Sequence, residues 1–168
     1  MLSLQNTKEK GNQMKMVLNN GLKVLAAHTQ SGRLKHVAAS LDSLNKQGFI
    51  MIDFFKNGGA RETCACSSDS FVSVKTYQNN KLITEMFRDT LHQKTFYYVY
   101  DDAGHITETW LDSFNNGWQG SALSVRDVMM HSPIGLFEEL KTAPQTVIKG
   151  QNLSVNLNYI RSSRSRAA

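Results

Sequence analysis

Long apolar runs are missing from this chain. No stretch approaches the ~20 consecutive apolar residues that a membrane-spanning helix requires, so no helical span and no membrane partner is expected. The N-terminal stretch "MLSLQNTKEKGNQMKM" lacks the apolar core of a signal peptide, so export by that route is not expected either. Cysteine is scarce, with only Cys64 and Cys66 present. A closed tetrahedral metal site takes about four ligands, and no second pair exists to complete one. Residues two apart on a strand share a face, where a disulfide would be strained, so both cysteines are read as small residues in or beside a strand.

Nucleotide signatures are absent as well. The chain has no phosphate loop, no dinucleotide glycine fingerprint and no histidine pair at zinc spacing. His28, His36, His92, His105 and His131 are scattered. Asp101 and Asp102 would point to opposite faces of a strand, and suit a polar turn instead. No catalytic residue, cofactor or metal is therefore expected, and the chain is not read as an enzyme.

Charge of one sign is only mildly in excess. The formal net charge is +5, and removing Arg161, Arg164 and Arg166 of the terminal "RSSRSRAA" leaves +2 for the body. Such a body is less basic than a dedicated nucleic-acid binder. The Ser/Arg tail, 161–168, reads as disordered.

What is present is β patterning. "MKMVLNNGLKVLAAH" (14–28) alternates on both sides of Asn20-Gly21, which predicts a hairpin with a type I′ turn. "RLKHVAASLDSLN" (33–45) changes period: Leu34, Val37, Ala38, Leu41 and Leu44 suggest a helix. "FIMIDFF" (49–55) reads as a strand closed by turn chemistry in "KNGGA". "FVSVKTY" (71–77) is another strand.

"QNNKLITEMFRDTLHQ" (78–93) then predicts the principal helix. Asn79 or Asn80 would cap it, Leu82, Ile83, Met86, Phe87 and Leu91 would be its buried stripe, and Lys81 would pair with Glu85 on the wet side. "FYYVYDDAGHITETWL" follows as a hairpin. Phe96, Tyr98 and Tyr100 share one face of its first strand, and Tyr97 and Val99 the other. At least half of these aromatics are assigned to a core rather than to base stacking, because their neighbours Asp101, Asp102, Glu108 and Asp112 would repel phosphate.

Ser132 and Pro133 suggest the cap and first position of a short helix over 132–141. In the closing segment Leu153, Val155, Leu157 and Tyr159 alternate with Ser154, Asn156 and Asn158, which predicts a strand with one apolar and one uncharged polar face. No internal repeat is evident. The expected fold is mostly β (α+β), an antiparallel sheet or open β-barrel with one principal helix packed on it.

The order "FVSVKTY", "NNKLITEMFRDTLHQ", "KTFYYVY", "DDAGHI", "TETWLDSF", with the alternating "QNLSVNLNYI" at the end, resembles the tube proteins of contractile phage tails and the type VI secretion tube. The resemblance implies a tube-like β-barrel domain over 44–160, preceded by an extension over 1–43. It implies a homo-oligomeric ring, six-fold in that family, lying within a sheath or against a baseplate. DNA or effectors would pass through the lumen without specific binding, and the protein would reside in a virion assembled in the host cytoplasm. Ser154, Asn156 and Asn158 would then face the lumen, wet without being basic. The alternative reading is a small β-rich nucleic-acid-binding or host-interaction protein of a virus or mobile element.

Overall fold

A computed structural model of the chain describes residues 13–120 and 129–142. Residues 13–120 form one ten-stranded antiparallel sheet in simple up-and-down order. The strands are β1 (Gln13–Val17), β2 (Lys23–His28), β3 (Leu34–Ser40), β4 (Gly48–Phe54) and β5 (Gly59–Cys66). They continue with β6 (Phe71–Gln78), β7 (Lys81–Asp89), β8 (Lys94–Tyr100), β9 (Ile106–Ser113) and β10 (Trp118–Gly120). The sheet is not closed into a barrel. The largely β architecture with one short helix, α1 (Phe137–Thr142), agrees with the expected fold class. Because β3 pairs directly with β4, the sheet is continuous across residues 43 and 44.

Both hairpins read from the sequence form, but the first turn is not the expected type I′: Asn20 lacks positive φ, and Gly21 alone takes the left-handed position after Asn19-Asn20. The turn at Asn20-Gly21 closes with Leu18 N–H donating to Leu22 O at 2.8 Å, and Gly21 has a φ of 92°. Asp101 makes the second turn. Its side chain accepts the backbone N–H groups of Ala103 (3.0 Å) and His105 (2.8 Å), and Gly104 takes a φ of 87°. Phe96 and Tyr98 are buried, while Tyr97 and Val99 lie half-buried on the opposite face.

Both longer helices are corrected. Residues 81–89 are strand β7, and Asn79 and Asn80 form a hairpin turn with φ of 49° and 76° rather than a helix cap. Positive φ at both central residues is the type I′ signature, and asparagine tolerates it. Phe87 is buried as expected, but Met86 points to the other face and Leu91 is 70% exposed. Residues 34–40 are strand β3, followed by a 3₁₀ turn at Leu41–Leu44 whose start is capped by the Ser40 hydroxyl, which accepts from Asp42 N–H at 3.2 Å.

β3 and β7 each carry a β-bulge, and in β7 apolar residues of both faces, Met86 on one and Phe87 on the other, add to the false helical stripe. His28 pairs with Leu34 while Ala27 pairs with His36, so Lys35 is an extra residue. Tyr77 pairs with Leu82 while Thr76 pairs with Thr84, so Ile83 is extra. Such β-bulges put residues three apart on one face and imitate helical spacing.

The bulges also expose an internal repeat that composition hides. Gly32, Asn80 and Gly104 have positive φ and precede the extra residues Lys35, Ile83 and Thr107 by the same interval. With Gly58 they recur at one end of the sheet about every two dozen residues, so the unit is a two-strand hairpin.

One face of the sheet is covered and carries the core, from Met16, Val24, Val37, Ile50 and Ile52 to Phe71, Phe87, Phe96 and Tyr98. The other face, the second face, is half-buried. Cys64 and Cys66 lie buried on the covered face of β5 without a disulfide, as expected of small strand residues. Among the described residues no helix is long and apolar enough to cross a membrane.

Candidate functional site

A row of paired residues crosses the middle of the covered face. From β2 to β9 it reads Ala26, Val37, Ile52, Glu62, Lys75, Glu85, Tyr98 and Thr109. Its first part is apolar and its second part carries two buried glutamates, only 1% and 2% exposed. Strand periodicity alone puts them on the core side, so their charge has to be met there.

The segment 129–142 meets it. Glu62 Oε1 accepts the backbone N–H groups of Leu136 (3.0 Å) and Phe137 (2.7 Å). Glu85 Oε1 accepts His131 Nδ1–H at 2.7 Å and the Tyr100 hydroxyl at 3.1 Å, and its Oε2 accepts Ser132 N–H at 3.2 Å. The Tyr98 hydroxyl accepts Met130 N–H at 2.6 Å. The Phe137 ring stacks on Tyr77 with centroids 4.0 Å apart and tilts toward Phe54 at 6.0 Å. Leu136 and Leu140 are buried. The sheet thus grips this strap mainly through its backbone amides.

The expected helix over 132–141 is corrected accordingly, because α1 begins at Phe137. Ser132 does not cap it. The Ser132 hydroxyl donates to Ile134 O at 2.8 Å, and Glu62 takes up the free amides at the helix start. A helix of this length is not stable alone and depends on such contacts. The expected pair of Lys81 with Glu85 on a wet face is also corrected, since Glu85 is buried under His131.

The two glutamates titrate in opposite directions. Burial pushes the Glu62 carboxyl above its ordinary value, and the amides of Phe137 and Leu136 with the charge of Lys75 only partly offset this. Lys75 Nζ stands 4.0 Å from Glu62 Oε2. Burial also pushes Glu85 up, but the His131 bond and charge, Lys75 and the Ser132 amide outweigh it and carry the carboxyl below the ordinary value. Burial lifts the Tyr98 hydroxyl to about 12. The Cys64 thiol is likewise pushed up to about 12 by burial, so it is a poor nucleophile.

His36 pairs with Asp53 at 2.8 Å, His92 with Asp89 at 2.7 Å, and His105 with Asp101 at 3.7 Å. Among the described residues no group of three or more His, Cys, Asp or Glu is placed to hold a metal ion. Ser154, Asn156 and Asn158, the expected lumen residues, lie outside the described residues, as do the closing strand and the basic tail.

The sheet edges are the other feature of interest. Among the described residues β1 and β10 each have a single strand neighbour. β1 carries Lys15, whereas Trp118, Gln119 and Gly120 of β10 are all exposed and uncharged.

Sequence reasoning missed the two glutamates and the strap. A glutamate in a strand-like run reads as a solvent residue, and nothing local marks the distant amides that it accepts. The chain matches no protein-family model and no curated protein.

Proposed function

We propose that the chain is a structural assembly protein that joins further copies or partners through its sheet, rather than a catalyst. The observation that carries this reading is the edge strand β10, an uncharged and exposed strand with one neighbour among the described residues. Such an edge offers unpaired N–H and C=O groups to another strand unless charge or proline protects it. The tube or tube-associated baseplate subunit of a contractile tail, a ring-forming homo-oligomer set against sheath or baseplate proteins, is the specific form of the proposal. It rests on the sheet and the Asp101–Gly104 hairpin, since the segment expected to supply the helix is a strand. In a ring, edge-to-edge pairing would make one continuous sheet around the lumen.

The nucleic-acid reading has less support. Phe96 and Tyr98, central to the aromatic run, are in the core and cannot stack on bases.

Sedimentation and electron microscopy of the purified chain test the proposal. Rings or filaments are expected, and Gln119→Lys on the edge strand should shift them toward the single subunit. A wild-type chain that stays monomeric at every concentration and salt would overturn it.

A further inference from the structure

The second face carries three aligned cross-strand rows. The middle one contains Thr63, Val74, Met86, Tyr97 and Trp110, all half-buried. None of its apolar members belongs to the core cluster or packs against it among the described residues. The row on one side runs from Arg61 on β5 through Thr84 on β7 to Glu108 on β9. The row on the other side runs from Phe49 on β4 through Arg88 on β7 to Trp118 on β10.

We propose that this second face is an interface between two copies of the chain, packed sheet on sheet about a two-fold axis that runs along β7. A rotation about an axis parallel to the strands leaves each row at its own height. It exchanges β5 with β9, β6 with β8, and β4 with β10.

Two exchanged pairs are complementary, while Asp112 on β9 falls over Ala65 on β5, which offers it no charged partner. Arg61 of one copy falls over Glu108 of the second, and the reverse contact repeats it, as an isologous interface requires. Both side chains are exposed, with Arg61 beside the Phe55 ring at 5.6 Å and Glu108 accepting from Trp110 Nε1–H at 3.1 Å. Phe49, 41% exposed, falls over Trp118, 50% exposed. Val74 meets Tyr97, and Met86 meets its own copy on the axis. Arg88 also lies on the axis, but its guanidinium is turned along the sheet to the Thr95 hydroxyl, 2.6 Å away.

The area is adequate. Seven overlapping strands and three rows span roughly 650 Å² in projection from strand spacing and rise. Accessible area exceeds projected area, which brings it near the about 800 Å² per partner of a stable interface. Two sheets so packed stand ~10 Å apart and interleave their side chains.

This interface goes beyond the edge-joined assembly, because it uses the face of the sheet and not its edge. Sedimentation equilibrium of the full chain tests it with Arg61→Glu, Glu108→Arg and the double exchange. Both sites are exposed, so folding should be unaffected, and circular dichroism verifies that. Each single reversal should raise the dimer dissociation constant about tenfold or more, and the double exchange should restore it to within about threefold of wild type. Phe49→Ser should weaken the dimer as well. A wild-type monomer at about 100 µM, or a double exchange no tighter than the single variants, would overturn the interface. If Gln119→Lys dissolves the assembly while both reversals leave it intact, the edge reading stands and this one falls.

Discussion

The covered face is built in two ways. On β2 to β4 its central row is Ala26, Val37 and Ile52; on β5 to β8 the same row continues as Glu62, Lys75, Glu85 and Tyr98. Both stretches are largely buried. The first is held by apolar burial, which is non-directional and tolerant of small changes in shape. The second depends on hydrogen bonds from one distant segment, 129–142, and on charges that match at short range. A buried carboxylate is tolerated only where donors converge on it. The difference therefore marks where the sheet needs a cover made of backbone amides.

Moving the glutamate along its own row is the largest way to break this contrast. Ile52→Glu places a carboxylate beside Glu62 where neither strap amide is directed. The chain should fail to fold, as far-UV circular dichroism would report. Phe87→Ala, on the neighbouring row, should cost about 3–5 kcal/mol in urea unfolding through lost transfer energy and the cavity left behind. Its cause is a buried strand position, and Met86, facing the other way, should respond much less.

Glu85→Ala should cost about 3 kcal/mol, because it strands the Ser132 amide, His131 and the Tyr100 hydroxyl together. The loss should appear first as protease sensitivity within 129–142, before the sheet unfolds. Uniform sensitivity along the chain would argue that strap and sheet are one cooperative unit.

Titration sharpens the comparison within the polar half. Glu85 has a lowered carboxyl, so its contribution is present above the ordinary value of 4.5 and is lost as pH falls through the lowered one. Glu62 has a raised carboxyl, so its contribution is full below 4.5 and is lost as pH rises through the raised one. Urea midpoints between about pH 3 and pH 7 should show Glu85→Gln flattening the acid limb and Glu62→Gln flattening the limb above it. The smallest effect belongs to the second face. Arg88→Ala loses one half-buried bond to Thr95 and should cost under about 1 kcal/mol.

Much of the sheet was legible in the sequence because its turns are written locally. Asn20-Gly21 and Asp101–Gly104 carry the residues that tolerate positive φ, and alternation on either side gave the strands. Strand β7, where the sequence pattern suggests a helix over 78–93, was not recoverable that way. With Ile83 as an extra residue and Met86 and Phe87 on opposite faces, Leu82, Ile83, Met86 and Phe87 recur at helical steps without sharing a face. Read without the partner strand, that spacing is helical. In β3 the extra residue Lys35 puts Leu34 and Val37 on one face three positions apart.

By itself the sequence determined a β-rich chain of hairpins, with Phe96 and Tyr98 of its aromatic run in the core and Asp101-Asp102 in a turn. These depend on neighbouring residues, on turn dihedrals and on a period of two. Only the tertiary structure decided that 81–89 is a strand, that Glu62 and Glu85 are buried, and that α1 starts at Phe137. Each of these depends on a partner remote in the chain. Hydrogen bonds between a strand side chain and an amide 47 to 75 residues away leave no local pattern, yet they settle which charges can be buried.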